Sequence, residues 1–202
     1  MDESGAAVLD VVLELTGTSL PSEHALELWR AVEACLPWLA DEPGTGIHPL
    51  RTSPSPGGEA LLARRAKLVL RVPRARGPDA LGLGGRTLNV AGRTLAVGAG
   101  VLRPLRAWNT LHAQRVTCGP ADDATFHDAV ARSLAALEVD CQFITGRRRT
   151  QRAEGREIAG YSVALIGVGA AESLRVQSVG IGGDRGLGWG IFVPHKAIAA
   201  TE

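Results

Sequence analysis

The run Val8-Leu9-Asp10-Val11-Val12-Leu13-Glu14-Leu15 is β-rich and apolar and is closed by Thr16-Gly17-Thr18, which predicts a strand ending in a turn. After it the period changes. Ala25, Leu28, Trp29, Val32, Leu36 and Leu39 recur at helical spacing, with Pro21 suited to the first turn and Pro37 placed to kink or stop the helix. Residues 46–50 suit a short strand, and 51–58, rich in Thr, Ser, Pro and Gly, reads as a loop. Residues 66–73 alternate as a strand, 79–83 suit a short helix, and 86–97 give one or two further strands. Gly98 to Pro104 reads as a boundary.

The order then recurs. Residues 110–117 alternate as a strand, and a helix follows from about Asp123 to Glu138, with Asp122 or Asp123 as cap and Phe126, Val130, Leu134 and Leu137 on one face. Cys141 to Ile144, Ile158 to Val168 and Ile191 to Pro194 predict strands, and Ala171 to Ser178 a short helix. The fold class expected is α+β: two tandem ferredoxin-like (RRM-like) halves, 1–103 and 104–202, the second carrying a C-terminal glycine-rich loop. One large mixed sheet would give the same element order.

Composition supports a folded chain. Of 202 residues 45% are hydrophobic, enough for a core in one domain or in two small ones. Cys35, Cys118 and Cys141 form no C-x-x-C and read as small core residues. The start Met1-Asp2-Glu3-Ser4 is acidic, and no apolar run is long enough for a span, so a cytoplasmic, membrane-free protein is expected. Net charge is only +1, but Arg147, Arg148, Arg149, Arg152 and Arg156 are answered locally by Glu154 and Glu157 alone. This basic hairpin suits a phosphate backbone; a solvated basic face is the plainer alternative.

Residues 180–190 hold glycines at 180, 182, 183, 186, 188 and 190. Glycine weakens regular structure, so such a cluster implies close backbone approach to something. A polyanion is the natural candidate, held by open N–H groups and by Arg185. The nucleotide fingerprints do not fit: no G-K-[ST] follows, and Arg185 replaces the third glycine of G-x-G-x-x-G.

What fits is Gly180-Ile181-Gly182, five residues, then Gly188-Trp189-Gly190. This pattern resembles the glycine-rich loop of the CRISPR-associated endoribonucleases that cut precursor guide RNA, the Cas six family. Val8 to Leu15 running through Leu20-Pro21-Ser22-Glu23-His24 into a helix, and Gly46-Ile47-His48-Pro49-Leu50, extend the resemblance to compact members of that family. The resemblance implies tandem ferredoxin-like halves and a catalytic histidine within or shortly after the first helix.

Two histidines suit that place. His24 stands at the helix start, where packing on the stripe of Leu28, Val32 and Cys35 is the alternative role; His48 lies between Gly46 and Pro49, where an exposed turn histidine is the alternative. His112, His127 and His195 are not favoured. Family members often add a tyrosine or lysine, but the single tyrosine is Tyr161 and no lysine precedes Lys67, so Arg30 or Arg51 is expected to supply the charge. No D-x-D, H-x-H or H-E-x-x-H occurs, so no metal or cofactor is expected.

The function implied is metal-independent cleavage of CRISPR repeat hairpin RNA by 2′-OH attack. His24 or His48 is the acid or base. Arg147, Arg148, Arg149 and Arg152 grip the hairpin, and Gly182, Gly183, Gly186, Gly188 and Arg185 hold RNA. The mature guide RNA stays bound among the other subunits of an effector complex. A non-catalytic guide-RNA-binding subunit is the alternative, and an unrelated nucleotide-binding protein a weaker one.

Overall fold

The computed structural model describes residues 7–118 and 122–196. The acidic start at Met1–Ser4 lies outside the described residues. In chain order the first half holds β1 (Val8–Thr16), β2 (Ser19–Pro21), α1 (Ala25–Cys35), β3 (Gly46–Ile47), β4 (Thr52–Ser55), β5 (Glu59–Leu62), β6 (Lys67–Pro73), α2 (Gly77–Leu81), β7 (Thr87–Val90) and β8 (Arg93–Pro104). The second holds β9 (Thr110–Val116), α3 (Asp123–Ala136), β10 (Gln142–Ala153), β11 (Arg156–Ile166), α4 (Ala170–Val179) and β12 (Val193–Pro194).

The two main antiparallel sheets have the orders β3-β6-β1-β8-β7 and β10-β11-β9-β12. In each, the first strand of its half is central and the strand after the first helix is added at the far side of a third, which is the ferredoxin-like arrangement. The strand β7 extends the first sheet as a hairpin on β8.

Alternation decides what each sheet buries. Leu9, Val11, Leu13 and Leu15 of β1 pack with Leu68, Leu70 and Val72 of β6 against Leu28 and Val32 of α1. In the second half, Leu111 and Ala113 of β9 and Val163 and Leu165 of β11 pack under Phe126, Val130 and Leu134 of α3. Each fully buried aliphatic or aromatic side chain of this kind contributes about 1.5–3 kcal/mol. The alternate residues of β1 and β9, Asp10 and Val12 with His112 and Gln114, line a cleft of about 630 Å³ between the two halves.

Three expectations change. The stretch expected as a boundary, Gly98 to Pro104, is the end of β8 and pairs with β1 as far as Leu9↔Pro104. Its glycines serve close packing: a Cβ at Gly100 would lie 2.8 Å from Leu13 Cδ2. The segment expected as a loop, 51–58, contributes β4, which joins β2 and β5 in a small three-stranded sheet. As an edge strand it tolerates Pro54. Pro21 ends β2 rather than opening the helix, and His24 is the N-cap. The cap of α3 is Asp122, whose carboxylate accepts from the Thr125 N–H. Among the described residues, no helix is long and apolar enough to cross a membrane.

Candidate active site

Pro21 and His24 make the first element of the site. His24 sits between β2 and α1, and its Nδ1 is 2.8 Å from the Pro21 carbonyl oxygen. A carbonyl only accepts, so Nδ1 carries the proton and the neutral ring keeps its lone pair on Nε2. Burial lowers its pKa; the bond to Pro21 opposes this and the Arg115 charge adds to it. In its neutral form the ring is therefore held in one tautomer.

His48 follows the two-residue strand β3, tied by its backbone N–H to the Val69 carbonyl. Its Nε2 is 3.3 Å from Asp10 Oδ1. Asp10 is also gripped by Arg71, through Nε at 2.8 Å and Nη2 at 3.1 Å. Burial alone raises the Asp10 carboxyl, but the hydrogen bond and charge of His48 and the charge of Arg71 outweigh it and hold it well below the usual carboxylate range. For His48, burial lowers the pKa against the pull of Asp10, and Arg71 and Arg185 add to the lowering.

Both histidines line one cleft of about 120 Å³, walled by both halves of the chain. From the second half come Arg115 of β9, Thr150 and Gln151 of β10, and Gly186 and Leu187 of the glycine-rich segment. Arg115 Nη1 donates to Gln151 Oε1 at 2.7 Å, and the fully buried Trp189 donates to the same oxygen through Nε1 at 3.0 Å. Burial, with Arg149 nearby, lowers the Arg115 pKa. Arg115 is thus the cation beside His24. Arg30 is instead exposed and paired with Glu27 and Glu154, each at 2.9 Å, and Arg51 is exposed at the larger cleft.

The glycine-rich segment is packed against the protein's own atoms. A Cβ at Gly182 would run into the Thr117 carbonyl, one at Gly186 would lie 2.7 Å from the Trp29 ring, and one at Gly188 would lie 3.0 Å from Pro49. Gly183 alone of the four expected RNA-binding glycines has nothing within 4 Å. Leu187 and Trp189 bury against Ala153 and Ile158, with Ala25, Leu26 and Trp29 of the first half packed on them.

Arg185, expected as a fork for phosphate, is turned inward. Its guanidinium donates to the carbonyls of Thr45 and Gly44 in the first half and of Val179 and Ser178 in the second. Burial lowers its pKa to about 10, Arg71 adding to this and Asp10 opposing. A side chain so engaged joins the two halves. Its sequence context gave no sign of this, because the carbonyls of Gly44 and Thr45 come from a segment remote in the chain.

The basic hairpin is edge strand β10 paired with β11, bulged between Thr145 and Arg148. Arg147, Arg148, Arg149 and Arg152 are exposed along it. Arg148 lies 4.0 Å from Glu157, a weak surface contact, so the group retains its positive character. At the hairpin's end, Arg156 pairs with Asp184. Of the remaining histidines, His112 and His195 pack with their rings tilted by 54° and centroids 5.3 Å apart, and His127 lies tilted against Phe143. Among the described residues no group of three or more His, Cys, Asp or Glu could hold a metal ion.

Sequence reading missed Arg115, Gln151, Asp10 and Arg71 as site residues. The signal for the last two was present: a charge flanked by apolar residues within each of two strands, Asp10 and Arg71, of opposite sign.

Residues 9–197 match the sequence profile of the Cas6 family, described as Cas6 Crispr. The chain belongs to the Cas6 family. It is 36% identical over 195 residues to the CRISPR-associated endonuclease Cas6 of Myxococcus xanthus (strain DK1622), an alignment covering 96% of this chain and 84% of that protein. Its fold is similar to a solved CRISPR-associated protein Cas6 (TM-score 0.64, 13% identity, 94% of this chain and 100% of that one). It is also similar to CRISPR endoribonuclease Cse3 bound to 19 nt RNA (TM-score 0.55, 13% identity, 94% and 98%). At that identity the structural likeness speaks for the Cas6 fold: two ferredoxin-like halves.

Proposed function

We propose that this chain is a metal-independent endoribonuclease that cuts CRISPR repeat RNA at the base of a hairpin and keeps the guide RNA bound within an effector complex. The observation that carries the reading is the convergence of His24 and His48 on one cleft walled by both halves, with Arg115 beside them. Membership of the Cas6 family and the endonuclease name of the Myxococcus relative support it.

The chemistry uses the ribose 2′-oxygen as nucleophile. His24 Nε2, free because Nδ1 is held by Pro21, takes the 2′-proton as the oxygen bonds to phosphorus. The P–O5′ bond breaks, and the 5′-oxygen takes a proton from the second histidine, His48, whose protonated form Asp10 favours against burial and the charges of Arg71 and Arg185. Products are a 2′,3′-cyclic phosphate and a 5′-hydroxyl, with no water consumed. Arg147, Arg148, Arg149 and Arg152 grip the hairpin backbone, which in A-form RNA is met through shape and charge.

The test is cleavage of the repeat RNA from the same genome's CRISPR array in EDTA, with wild type, His24→Ala and His48→Ala. Cyclic-phosphate ends from wild type and their loss in a histidine variant are expected. Tight binding without any cleavage by wild type makes the chain a guide-RNA-holding subunit instead.

A further inference from the structure

We propose that Gln151 positions the scissile phosphate, its amide Nε2 donating to a non-bridging oxygen while Arg115 beside it balances the charge. The inference rests on the ribonuclease reading of the cleft.

The orientation of the Gln151 amide is fixed by chemistry. Arg115 Nη1 and Trp189 Nε1 are donors only, and both point at one atom, which must be the carbonyl oxygen. The NH₂ group is thereby committed to the other side, where it has no partner although it is sealed from solvent. The side chain is 7% exposed, and buried amide donors are nearly always satisfied. Gln151 lines the cleft with Arg115, Thr150, His24 and His48. Gln151, with its unpaired N–H, and Arg115, with its guanidinium, line one cleft, and a small shift of the amide on binding brings that N–H to an occupant that accepts and is anionic, which describes a phosphodiester. Charge grows on the non-bridging oxygens during 2′-OH attack, so a fixed donor there acts mainly in the transition state.

The register shows how the fold delivers this group. Gln151 pairs with Ile158 in the β10–β11 ladder and points inward between the exposed Thr150 and Arg152. Trp189 then locks the amide from the glycine-rich segment, so the second half supplies the phosphate site and the first half the histidines.

Gln151→Glu separates this role from a structural one. The carboxylate keeps an acceptor for Arg115 and Trp189, so an unchanged melting temperature is expected, while the N–H is lost. Single-turnover cleavage of the repeat RNA is expected to fall by ~100-fold or more, the usual consequence of losing one oxyanion donor. Phosphorothioate substitution of each non-bridging oxygen at the cut is the second measurement. Wild type is expected to be slowed on one diastereomer, and Gln151→Glu to show little further slowing on it. A wild type that cuts no repeat RNA overturns the ribonuclease reading and this inference with it. A wild type that cuts, with Gln151→Glu matching its rate or with equal rates on both diastereomers, overturns this inference alone.

Discussion

Arg71 lies opposite Asp10 in the ladder between β1 and β6, and its fully buried guanidinium continues through to the carbonyl oxygens of Gln177 and Phe192 in the second half, each at 2.8 Å. One cross-strand pair thus fixes the floor between the sheets and anchors His48 through the same carboxylate. Removing the carboxylate leaves a buried cation without its charge partner, so Asp10→Ala is expected to cost about 3–5 kcal/mol, read from urea unfolding at neutral pH. Because Asp10 is held below the ordinary range, its contribution is present above about pH 4 and is lost as pH falls through its own lower value. Asp10→Asn is accordingly expected to flatten the acid limb of the stability profile; an unchanged limb would show that the pair contributes nothing there.

Cleavage should follow the neutral form of His24. Burial lowers its pKa and that of His48, so the limb set by His24 lies below the ordinary histidine value of about 6.5, and the single-turnover rate declines at higher pH as His48 loses the proton it must donate. A rate that already falls on going from pH 8 to 7 would exclude His24 as the base.

Salt dependence separates the two kinds of arginine. Arg147→Ala with Arg148→Ala removes exposed charges, and the slope of log affinity for repeat RNA against log salt is expected to shrink by about 1–2. Arg185→Lys abandons a fork onto four carbonyls, so a stability loss of about 2–4 kcal/mol is expected with the salt slope unchanged. Equal slopes for wild type and the double variant would remove the hairpin from the RNA interface.

The glycines give a matched pair. A methyl at Gly186 meets the Trp29 ring, so Gly186→Ala is expected to lose about 1–3 kcal/mol by overpacking, read as a lowered melting temperature. Gly183→Ala meets nothing within 4 Å and is expected to fold as the parent does. If Gly183→Ala weakens RNA binding at full stability, Gly183 is where that segment touches RNA.

The elements were legible where one periodicity held. The apolar run Val8 to Leu15 and the alternation through Leu68 to Val72 gave strands close to their observed bounds, and the 3.6 period through Leu28 and Val32 gave the helix, whose observed span Ala25–Cys35 is shorter at both ends than Pro21 and Leu39 suggested. Gly98 and Gly100 misled, since a glycine admitting a neighbouring side chain has the same sequence appearance as one in a linker.

The candidate site was legible only in part. His24 and His48 stood out beside the first helix, and the structure brings both to one cleft. Arg115 and Gln151 did not, being ordinary strand residues until β9 and β10 carry them against the first half. The glycine cluster was correctly read as a place of close approach, but its neighbours are Thr117, Trp29 and Pro49.

The amino-acid sequence by itself determined the strands, the helices, the repeated β-α-β order and the family pattern, all of which depend on neighbours along the chain. Tertiary structure decided which charges are spent internally and which remain for a substrate. Arg185 and Arg147 are alike in sequence, and only contacts between distant segments bury one on carbonyls and leave the other in solvent.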